Sequence, residues 1–566
     1  MIGYTCKYTP VELLAAYGAE PVLINEEAED FEYAQDLMHM NMCGSIKALI
    51  ESVHKHHVPE LIMVNCCDGT RRAADVLKDR TDFLFLMDIP HAVNSCSRQH
   101  LVSELKRLCG AYQEYSGREF SLERFLSAFS APEDAPASPY IGILGARVGE
   151  GLRKQLSDLV PLPVRDLTCC SIRGLQLPDE KTVYRWKEAE ENKSADSSWF
   201  DELLDWYAEE LIRQIPCMRM EDITGRKSLI NDPNLMGIIY HTVKFCDYYG
   251  FEYEHLRKSV SVPMTKIETD FTMQSEGQLS TRIGGFVESM GLRKERNIRG
   301  MNREGKYYAG IDSGSTTTNI AVLDQEGNLL DSAIVRTGAK AQKGAQKALD
   351  SLKKVSPDDI ALIFATGYGR MNISFADDNI TEITCHARGA RHIHPGVHTI
   401  IDIGGQDNKA IRLDDKGEVV NFAMNDKCAA GTGRFLENMA KVLEISLDEI
   451  STAGLDWKED LTISSMCTVF AESEVVSLIA DNKQIPDIVH GLDKSVAAKT
   501  MTLVHRTGGK GPYMMTGGGA RNVGVVRCIE DLVGEKIYVP ENPDLCGAIG
   551  AALFAMDAAK KTPQRG

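Results

Sequence analysis

The chain has 566 residues, of which 43% are hydrophobic and 25% charged, and its formal net charge is −18. That length exceeds what one hydrophobic core usually serves, so several domains are expected. The negative charge excludes a general binder of nucleic-acid backbones, which needs clustered Lys and Arg. No apolar run approaches the ~18 residues of a membrane span, and the N-terminus lacks the basic start and apolar run of an export signal. We expect a cytoplasmic multidomain protein.

Short apolar runs alternate with amphipathic stretches along the whole chain. This alternation predicts an α/β fold with mostly parallel sheets. The clearest predicted strands are Leu61–Val64, Ile141–Leu144, Tyr308–Ile311 and Thr399–Ile403, and the clearest predicted helices are Glu12–Tyr17 and Ala341–Leu352.

Two breaks in composition divide the chain into three pieces. One is the Ala/Pro stretch Ala131–Pro139, and the other is the charged stretch Gly291–Lys306. Such stretches are typical of linkers. The predicted organisation is a first lobe at 1–130, a second lobe at 139–291, a linker at 292–306 and a C-terminal domain at 307–560.

The first two pieces look like diverged copies of one lobe. A predicted strand in LIMVNCCDGT ends just before Cys67, and a predicted strand in IIYHTVKFCDYYG ends just before Cys246. Each cysteine is followed by a helical stretch and another strand. The other matched cysteines are Cys43 with Cys217, and Cys6 with Cys169 or Cys170.

These matched cysteines are candidate iron–sulfur ligands. Fifteen cysteines in a reducing compartment do not predict a disulfide framework, and ligands in open α/β sheets gather at the carboxyl ends of strands. A four-iron cubane with one open position needs three protein thiolates, so three cysteines per lobe fit two cubanes. The predicted ligands are Cys6, Cys43, Cys67, Cys170, Cys217 and Cys246; the choice within Cys66/Cys67 and Cys169/Cys170 stays open, and Cys96 is a spare candidate.

Other polar and sulfur-bearing residues are given no role. About half of the cysteines are expected to be small buried hydrophobes, beginning with Cys109, Cys385 and Cys528. Asp68 and Asp247 either hydrogen-bond beside the ligands, move protons there, or cap the next helix. The histidines interpreted as ordinary surface or core residues are His39, His54, His56, His57, His91 and His386.

The C-terminal piece contains two similar Gly-rich turns, each following a predicted strand, in Tyr308–Thr318 and Thr399–Lys409. Glycine lets the backbone approach phosphate closely, hydroxyls donate to its oxygens, and an acidic residue can hold Mg²⁺. Paired loops can clamp a nucleotide phosphate tail from both sides. The predicted ATP and Mg²⁺ contacts are Asp312, Gly314, Ser315, Thr316 and Thr317 in the first loop and Asp402, Gly404, Gly405 and Gln406 in the second.

A third element ends a predicted strand with Gly517, Gly518 and Gly519, where the backbone can pass close to the adenosine group. The order of the three elements resembles the superfamily of acetate and sugar kinases, Hsp70 and actin, whose two halves close over ATP. The resemblance implies a two-lobed actin/Hsp70-like domain, which follows the two lobes of the first 291 residues, expected to be Rossmann-like. It does not separate a kinase from an ATPase or a switch.

Two further cysteines, Cys428 and Cys467, lie between the second phosphate loop and the adenosine loop. Each precedes a predicted helix, Arg434–Leu443 or Val469–Ile479, and helix N-termini favour the negative charge of a thiolate-ligated cluster. Two cysteines cannot ligate a four-iron cubane alone. Two chains related by a twofold axis can, so the pair predicts a homodimer with one [4Fe-4S] cluster on the axis.

From Lys306 to about Ala558 the chain is similar to the ATP-dependent activators of 2-hydroxyacyl-CoA dehydratases and the related subunits of benzoyl-CoA reductase. The resemblance implies that Cys428 and Cys467 bind the intersubunit cluster. It also implies that ATP drives a hinge and delivers a low-potential electron, which a ferredoxin or flavodoxin would supply.

The first 290 residues resemble the dehydratase subunits that such activators serve, through YTPVELLAAYGAEPV, CGSIKALIE, NCCDG, KFCD and IETDF. A dehydratase subunit of this type needs three cluster ligands, whereas this chain offers six or more, as double-cubane cluster proteins do. The resemblance implies ATP-dependent reduction of a small substrate at an N-terminal double cubane. The alternatives are dehydration of a 2-hydroxyacyl-CoA, and a sugar kinase or nucleotide-switched binding protein with structural cysteines.

Overall fold

The computed structural model describes residues 1–130, 136–171, 173–191, 198–272, 276–292, 305–425, 430–463 and 468–561. The chain forms two compact units, Met1–Ile283 and Gly284–Gly566. Strands and helices alternate in both units, so the predicted α/β fold class is confirmed. None of the described helices is long and apolar enough to cross a membrane.

The first unit contains two lobes with the same sheet topology. Each lobe has four parallel strands, in the order β2-β1-β3-β4 in the first lobe and β6-β5-β7-β8 in the second. The predicted duplication is therefore confirmed at the level of the fold. The strands are β1 Ile2–Tyr4, β2 Pro21–Leu23, β3 Glu60–Val64, β4 Phe83–Met87, β5 Tyr140–Gly145, β6 Val164–Asp166, β7 Leu235–Val243 and β8 Met264–Thr269.

Helices cover the sheets of both lobes, as parallel strands require, because each crossover lies on a sheet face. The longest, α5, begins at the Asn94 cap, whose side chain accepts from the Ser97 N–H at 2.9 Å, and ends at left-handed Gly117. The helices are α1 Val11–Ala16, α2 Glu32–Leu37, α3 Gly44–Lys55, α4 Asp68–Leu77, α5 Ser95–Ser116, α6 Leu122–Ser127, α7 Glu150–Leu159, α8 Glu180–Glu191, α9 Ser198–Arg213, α10 Lys227–Ile230, α11 Asp247–Leu256 and α12 Glu276–Ser289.

The topology corrects one predicted match between the lobes. Cys6 lies just past β1, whose counterpart is β5, whereas Cys169 and Cys170 follow β6, whose counterpart is β2. Matching Cys6 with either of them is therefore wrong, and the residue equivalent to Cys6 is Arg147. The edge strands β2 and β6 have three residues each, too few for a pattern in the sequence to reveal.

The second unit contains two five-stranded sheets with equivalent strand orders, β11-β10-β9-β12-β13 and β16-β15-β14-β17-β18. In each sheet the first three strands are antiparallel and the rest parallel. The prediction of mostly parallel sheets is therefore wrong for this unit, because its phosphate loops are hairpin turns. The strands are β9 Tyr307–Ser313, β10 Thr317–Leu323, β11 Leu329–Arg336, β12 Ile360–Thr366, β13 Asp378–Asn379, β14 Thr399–Ile403, β15 Asn408–Leu413, β16 Val419–Asn425, β17 Tyr513–Thr516 and β18 Ile537–Tyr538.

Two helices of this unit, α14 and α20, cross at close range. A Cβ on Gly389 would lie 2.1 Å from the Cys546 carbonyl oxygen, and one on Gly550 would lie 1.8 Å from the Cys385 carbonyl oxygen. Only glycine permits this contact, which fixes α14 beside the sheets. The helices are α13 Ala341–Asp350, α14 Glu382–Ile393, α15 Gly433–Val442, α16 Leu447–Ala453, α17 Thr468–Ala480, α18 Ile485–Thr507, α19 Val523–Val533 and α20 Cys546–Lys561.

Candidate functional site

The two predicted phosphate loops face each other in the second unit. Asp312 lies near the end of β9, and Asp402 lies near the end of β14. A Cβ on Gly405 would lie 2.3 Å from Thr316 Oγ1, so the two loops approach closely. Thr516, at the end of β17, donates to Asp402 Oδ1 at 2.9 Å. Residues from all three predicted nucleotide elements therefore meet in one place.

His386 lies between the two loop carboxylates. Its Nε2 is 3.7 Å from Asp312 Oδ2, and its Nδ1 is 3.7 Å from Asp402 Oδ1. Burial opposes a charge on this imidazole, but Asp402 and Asp312 outweigh that effect and raise the pKa of His386. From the sequence alone, His386 is given no role. The apolar periodicity of α14 is that of any packed helix, so it does not indicate that His386 lies between two carboxylates.

Lys409 is a second central residue that the sequence analysis missed. It is fully buried, and its Nζ lies 2.7 Å from Glu382 Oε1, 2.6 Å from Asp407 Oδ2 and 3.3 Å from Asp402 Oδ2. Burial raises the pKa of Glu382 to about 7, although Lys409 opposes the shift. One lysine ammonium thus forms ion pairs with three buried carboxylates.

The described carboxylates of this site outnumber its cationic side chains, so the site can accept a further cation. Asp312 Oδ1 is buried without a hydrogen-bond partner among the described residues. Asp312, Glu382 and His386 each offer a ligand atom, and these atoms lie within 4.8 Å of one another. Excess carboxylate beside Gly-rich hairpin turns fits a nucleotide phosphate tail accompanied by a divalent cation.

The remaining predicted nucleotide contacts surround these carboxylates. Ser315 and Gln406 are exposed at the tips of the two hairpins, and Thr316 and Thr317 are part-buried. Gly517 follows β17 with a φ of 78°, which favours glycine, and leads into a short 3₁₀ turn at Gly518–Arg521.

Cys428 and Cys467 lie outside the described residues. The helices predicted after them are α15 and α17, which begin at Gly433 and Thr468. The outer side of α17 carries four exposed apolar side chains, which are Val469, Phe470, Val476 and Ile479.

A second candidate site lies between the two lobes of the first unit. Its eight part-buried cysteines, which we call the cysteine basin, are free thiols. The Cys169 and Cys170 sulfurs are 3.6 Å apart, and the Cys170 thiol of the second lobe lies 3.6 Å from the Thr5 carbonyl oxygen of the first. The cysteine basin consists of Cys6, Cys43, Cys66, Cys67, Cys169, Cys170, Cys217 and Cys246.

Three of these cysteines occupy the N-cap positions of helices, Cys43 before α3, Cys67 before α4 and Cys246 before α11. Helix N-termini favour thiolates. A hydrogen bond from Cys66, together with the Thr70 hydroxyl, lowers the pKa of Cys67 to about 5. A hydrogen bond from Cys246 lowers the pKa of Cys43 to about 6.

Cys6 and Cys217 are two further members of the cysteine basin. Burial raises the pKa of Cys6 to about 11. The backbone N–H of Cys217 donates to the Tyr8 hydroxyl at 3.2 Å, and the Tyr249 hydroxyl lies 3.6 Å from the Cys217 sulfur. The basin therefore brings together all six predicted N-terminal ligands, and also both members of each vicinal pair.

Two cations accompany these thiols. The Lys7 side chain is buried and donates to the Ile215 carbonyl oxygen; burial lowers the pKa of Lys7, and the neighbouring Cys217 sulfur opposes that shift. Neither Lys7 nor Arg147 has a carboxylate within 4.0 Å in the described part of the chain. A cation taken out of water without a carboxylate requires another anion, and a thiolate is the anion that these cysteines can supply.

The other predicted cysteines lie elsewhere. Cys109, Cys385 and Cys528 are buried, as expected, and the spare candidate Cys96 is exposed near the start of α5. The Asp68 side chain is exposed and lies 3.6 Å from Arg71, which agrees with a role at the start of α4.

Residues 309–555 match the BadF/BadG/BcrA/BcrD ATPase family, and residues 6–132 and 177–290 match the 2-hydroxyglutaryl-CoA dehydratase D-component family. The 2-hydroxyisocaproyl-CoA dehydratase activator of Clostridioides difficile is 45% identical over 259 residues, which are 45% of this chain and 97% of the activator. The chain belongs to the BadF/BadG/BcrA/BcrD ATPase family. It carries this ATPase domain fused to a dehydratase-like unit.

Other relatives match the same share of the chain. The activator of lactoyl-CoA dehydratase of Anaerotignum propionicum is 47% identical over 258 residues, covering 45% of this chain and 99% of that activator. The solved structure of the activator of the 2-hydroxyisocaproyl-CoA dehydratase from Clostridium difficile with bound ADPNP is 45% identical and covers 45% of this chain and 96% of that one, with a TM-score of 0.44.

Proposed function

We propose that this fusion ATPase couples ATP hydrolysis to low-potential electron transfer, from a [4Fe-4S] cluster shared by two copies of the chain to iron–sulfur groups in the cysteine basin, where a small substrate is reduced. The observation that carries the proposal is the cysteine basin itself, in which eight free thiols face two cations without carboxylates. A thiolate-ligated iron–sulfur group supplies one-electron chemistry at low potential.

The thiols of the cysteine basin fit such groups in number and in electrostatics. Six ligands, three from each lobe, would be Cys6, Cys43, Cys67, Cys170, Cys217 and Cys246. Cys67 is preferred to Cys66 because it holds the N-cap of α4, as Cys246 holds that of α11. Cys170 is preferred to Cys169 because Arg147 approaches its sulfur.

In the ATPase domain, Asp312 and Asp402 would hold the Mg²⁺ that accompanies the ATP phosphates, while the hydroxyls of the first loop donate to phosphate oxygens. His386, which lies between the two carboxylates, would orient the attacking water. Because α14 contacts residues of both loops, closure on ATP and opening after hydrolysis would move it.

A homodimer accounts for the exposed side of α17. Val469 and Phe470 are each 67% exposed on the helix that follows Cys467. Apolar side chains at this density on one helix favour a protein contact. A second copy related by a twofold axis would cover them and bring two Cys428/Cys467 pairs to one cluster.

The test is ATP-dependent reduction of the N-terminal groups. Anaerobically prepared protein is mixed with a reduced ferredoxin, and its electron paramagnetic resonance spectrum is recorded with and without Mg-ATP. We expect signals of reduced N-terminal groups only with Mg-ATP, and none in a Cys428→Ser variant. Equal reduction without ATP would contradict the proposal.

A second candidate function is dehydration of a 2-hydroxyacyl-CoA. It is favoured by the match of residues 6–132 and 177–290 to a dehydratase component family. About six irons per chain, one N-terminal cubane plus half of a shared cluster, would favour this candidate over the double-cubane arrangement. Turnover of a 2-hydroxyacyl-CoA by the purified chain would establish it.

A further inference from the structure

Three arginines of the first unit lie among buried groups, and two of them have carboxylate partners. Arg226 pairs with Glu252 at 2.5 Å, and Arg173 pairs with Glu12. Such pairing is the usual condition for taking a guanidinium out of water. These two arginines have structural roles that their partners explain.

Arg147 differs from both. Its Nη2 donates to the Thr5 carbonyl oxygen across the lobe boundary and lies 3.9 Å from the Cys170 sulfur. The Cys169 and Cys66 sulfurs are also near it, and no carboxylate lies within 4.0 Å among the described residues. A permanent positive charge therefore lies beside sulfur atoms and a carbonyl group, without a carboxylate partner among the described residues.

The position of Arg147 in the fold is the second observation. Strand β1 ends at Tyr4 and Cys6 lies two residues beyond it; the equivalent strand β5 ends at Gly145, and Arg147 lies two residues beyond it. At the same place in two copies of one lobe, the first presents a thiol to the cysteine basin and the second presents a guanidinium.

We propose that Arg147 is a positioning residue for the iron–sulfur group beside Cys170. Its fixed positive charge and an N–H···S hydrogen bond would stabilise the reduced form of that group. This inference rests on the proposed function. A reduced group carries one more negative charge than its oxidised form, so a nearby cation favours the reduced form and raises the reduction potential.

The experiment compares Arg147→Met, which removes the charge at similar length, with Arg147→Lys, which keeps it. Each full chain is prepared anaerobically, its iron and sulfide are measured, and the N-terminal signals are followed by electron paramagnetic resonance in a redox titration. We expect Arg147→Met to hold wild-type iron and to titrate at a more negative potential, and Arg147→Lys to stay closer to wild type.

The matched control is Arg153→Met, because Arg153 is in the same lobe but exposed and paired with Asp166 at 2.9 Å. It should leave the potentials unchanged, and the signal of the shared cluster provides an internal reference in all samples. If Arg147→Met loses iron, retention of iron and potential by Arg147→Lys supports the inference, and equal loss in both variants overturns it. Wild-type potentials in Arg147→Met also overturn it.

Failure of the proposed function would look different. In that case wild-type protein would contain no N-terminal iron, and the comparison of variants would have no signal to titrate. The inference about Arg147 would then fall together with the proposed function, whereas unchanged potentials with full iron content would overturn the inference alone.

Discussion

Both units form their sites between duplicated sheets, but the excess charge differs. In the part of the chain that the structure describes, the first unit has cations without carboxylate partners, and the second has more carboxylates than cations. In the first unit, thiols from two parallel-sheet lobes face Lys7 and Arg147, which have no carboxylate partner among the described residues. In the second, carboxylates from two hairpin-bearing lobes face Lys409 and His386. The cysteine basin suits an anionic group, and the loop carboxylates suit a cation with its nucleotide. The charged residues around each site thus indicate whether the group bound there is an anion or a cation.

The largest effect should come from removing a loop carboxylate. Asp402→Asn takes away a charge that faces His386 and Lys409, and with it the proposed Mg²⁺ contact. We expect the rate of ATP hydrolysis to fall by about 10²-fold or more, the size of loss seen when one transition-state contact is removed. Steady-state phosphate release measures it. Asp415→Asn, at an exposed residue of the same domain, should keep the wild-type rate; a threefold loss or less in Asp402→Asn would contradict the assignment.

The cysteine basin can be tested in the same way. Cys67→Ala removes the N-cap thiol of α4, and we expect it to lower the iron content by about four per chain, the contents of one cubane. Iron and acid-labile sulfide analysis measures the loss. The control is Cys96→Ala, because Cys96 is exposed and outside the basin. Equal iron in both variants would show that Cys67 is not a ligand.

Stability should reveal the charge balance of the second unit. Lys409→Met removes the ammonium that Glu382 and Asp402 share and leaves both carboxylates buried, so we expect the free energy of unfolding to fall by ~3–5 kcal/mol. Denaturant unfolding of the full chain measures the change. Lys483→Met breaks a pair with exposed Glu459 and should cost ~1 kcal/mol or less. Similar losses in the two variants would mean that the loop carboxylates do not depend on Lys409.

A smaller effect is expected at Asp493, which lies buried in α18 beside the N-cap residue Asn522. Burial raises the pKa of Asp493 from 3.8 to about 8. A carboxyl group whose pKa is higher in the folded chain lowers stability above pH 3.8, and the loss grows until about pH 8. Asp493→Asn should therefore increase the free energy of unfolding by ~2 kcal/mol or more at pH 8 and by less at pH 5.

Thermal unfolding at both pH values measures the Asp493 effect. Asp531→Asn, at an exposed residue of α19, should change stability little at either pH. A gain in Asp493→Asn that is larger at pH 5 than at pH 8 would have the wrong sign for a raised pKa.

The sequence predicted the site residues that lie at the ends of strands, where the strands are long enough to show an apolar pattern. Cys67 and Cys246 come three residues after β3 and β7, and Asp402 and Asp312 lie in β14 and β9, so apolar periodicity located them. Their convergence follows from the meeting of strand ends at one edge of a sheet.

The site residues that the sequence did not reveal are those whose burial and neighbours depend on tertiary packing. Lys409 lies between Asn408 and Ala410 near the start of β15, where a lysine is ordinarily expected to be exposed, and only the tertiary fold buries it. His386 lies on a helix whose partner α20 is 160 residues away in the chain at Cys546. The equivalence of Arg147 with Cys6 depends on sheet order, which the three-residue strands β2 and β6 conceal.

If one chain carries both the donor cluster and its acceptor groups, iron and acid-labile sulfide per chain in anaerobically prepared protein should show both. We expect about ten irons per chain, eight in the cysteine basin and two from a four-iron cluster shared through Cys428 and Cys467. About two irons per chain, the shared cluster alone, would contradict it.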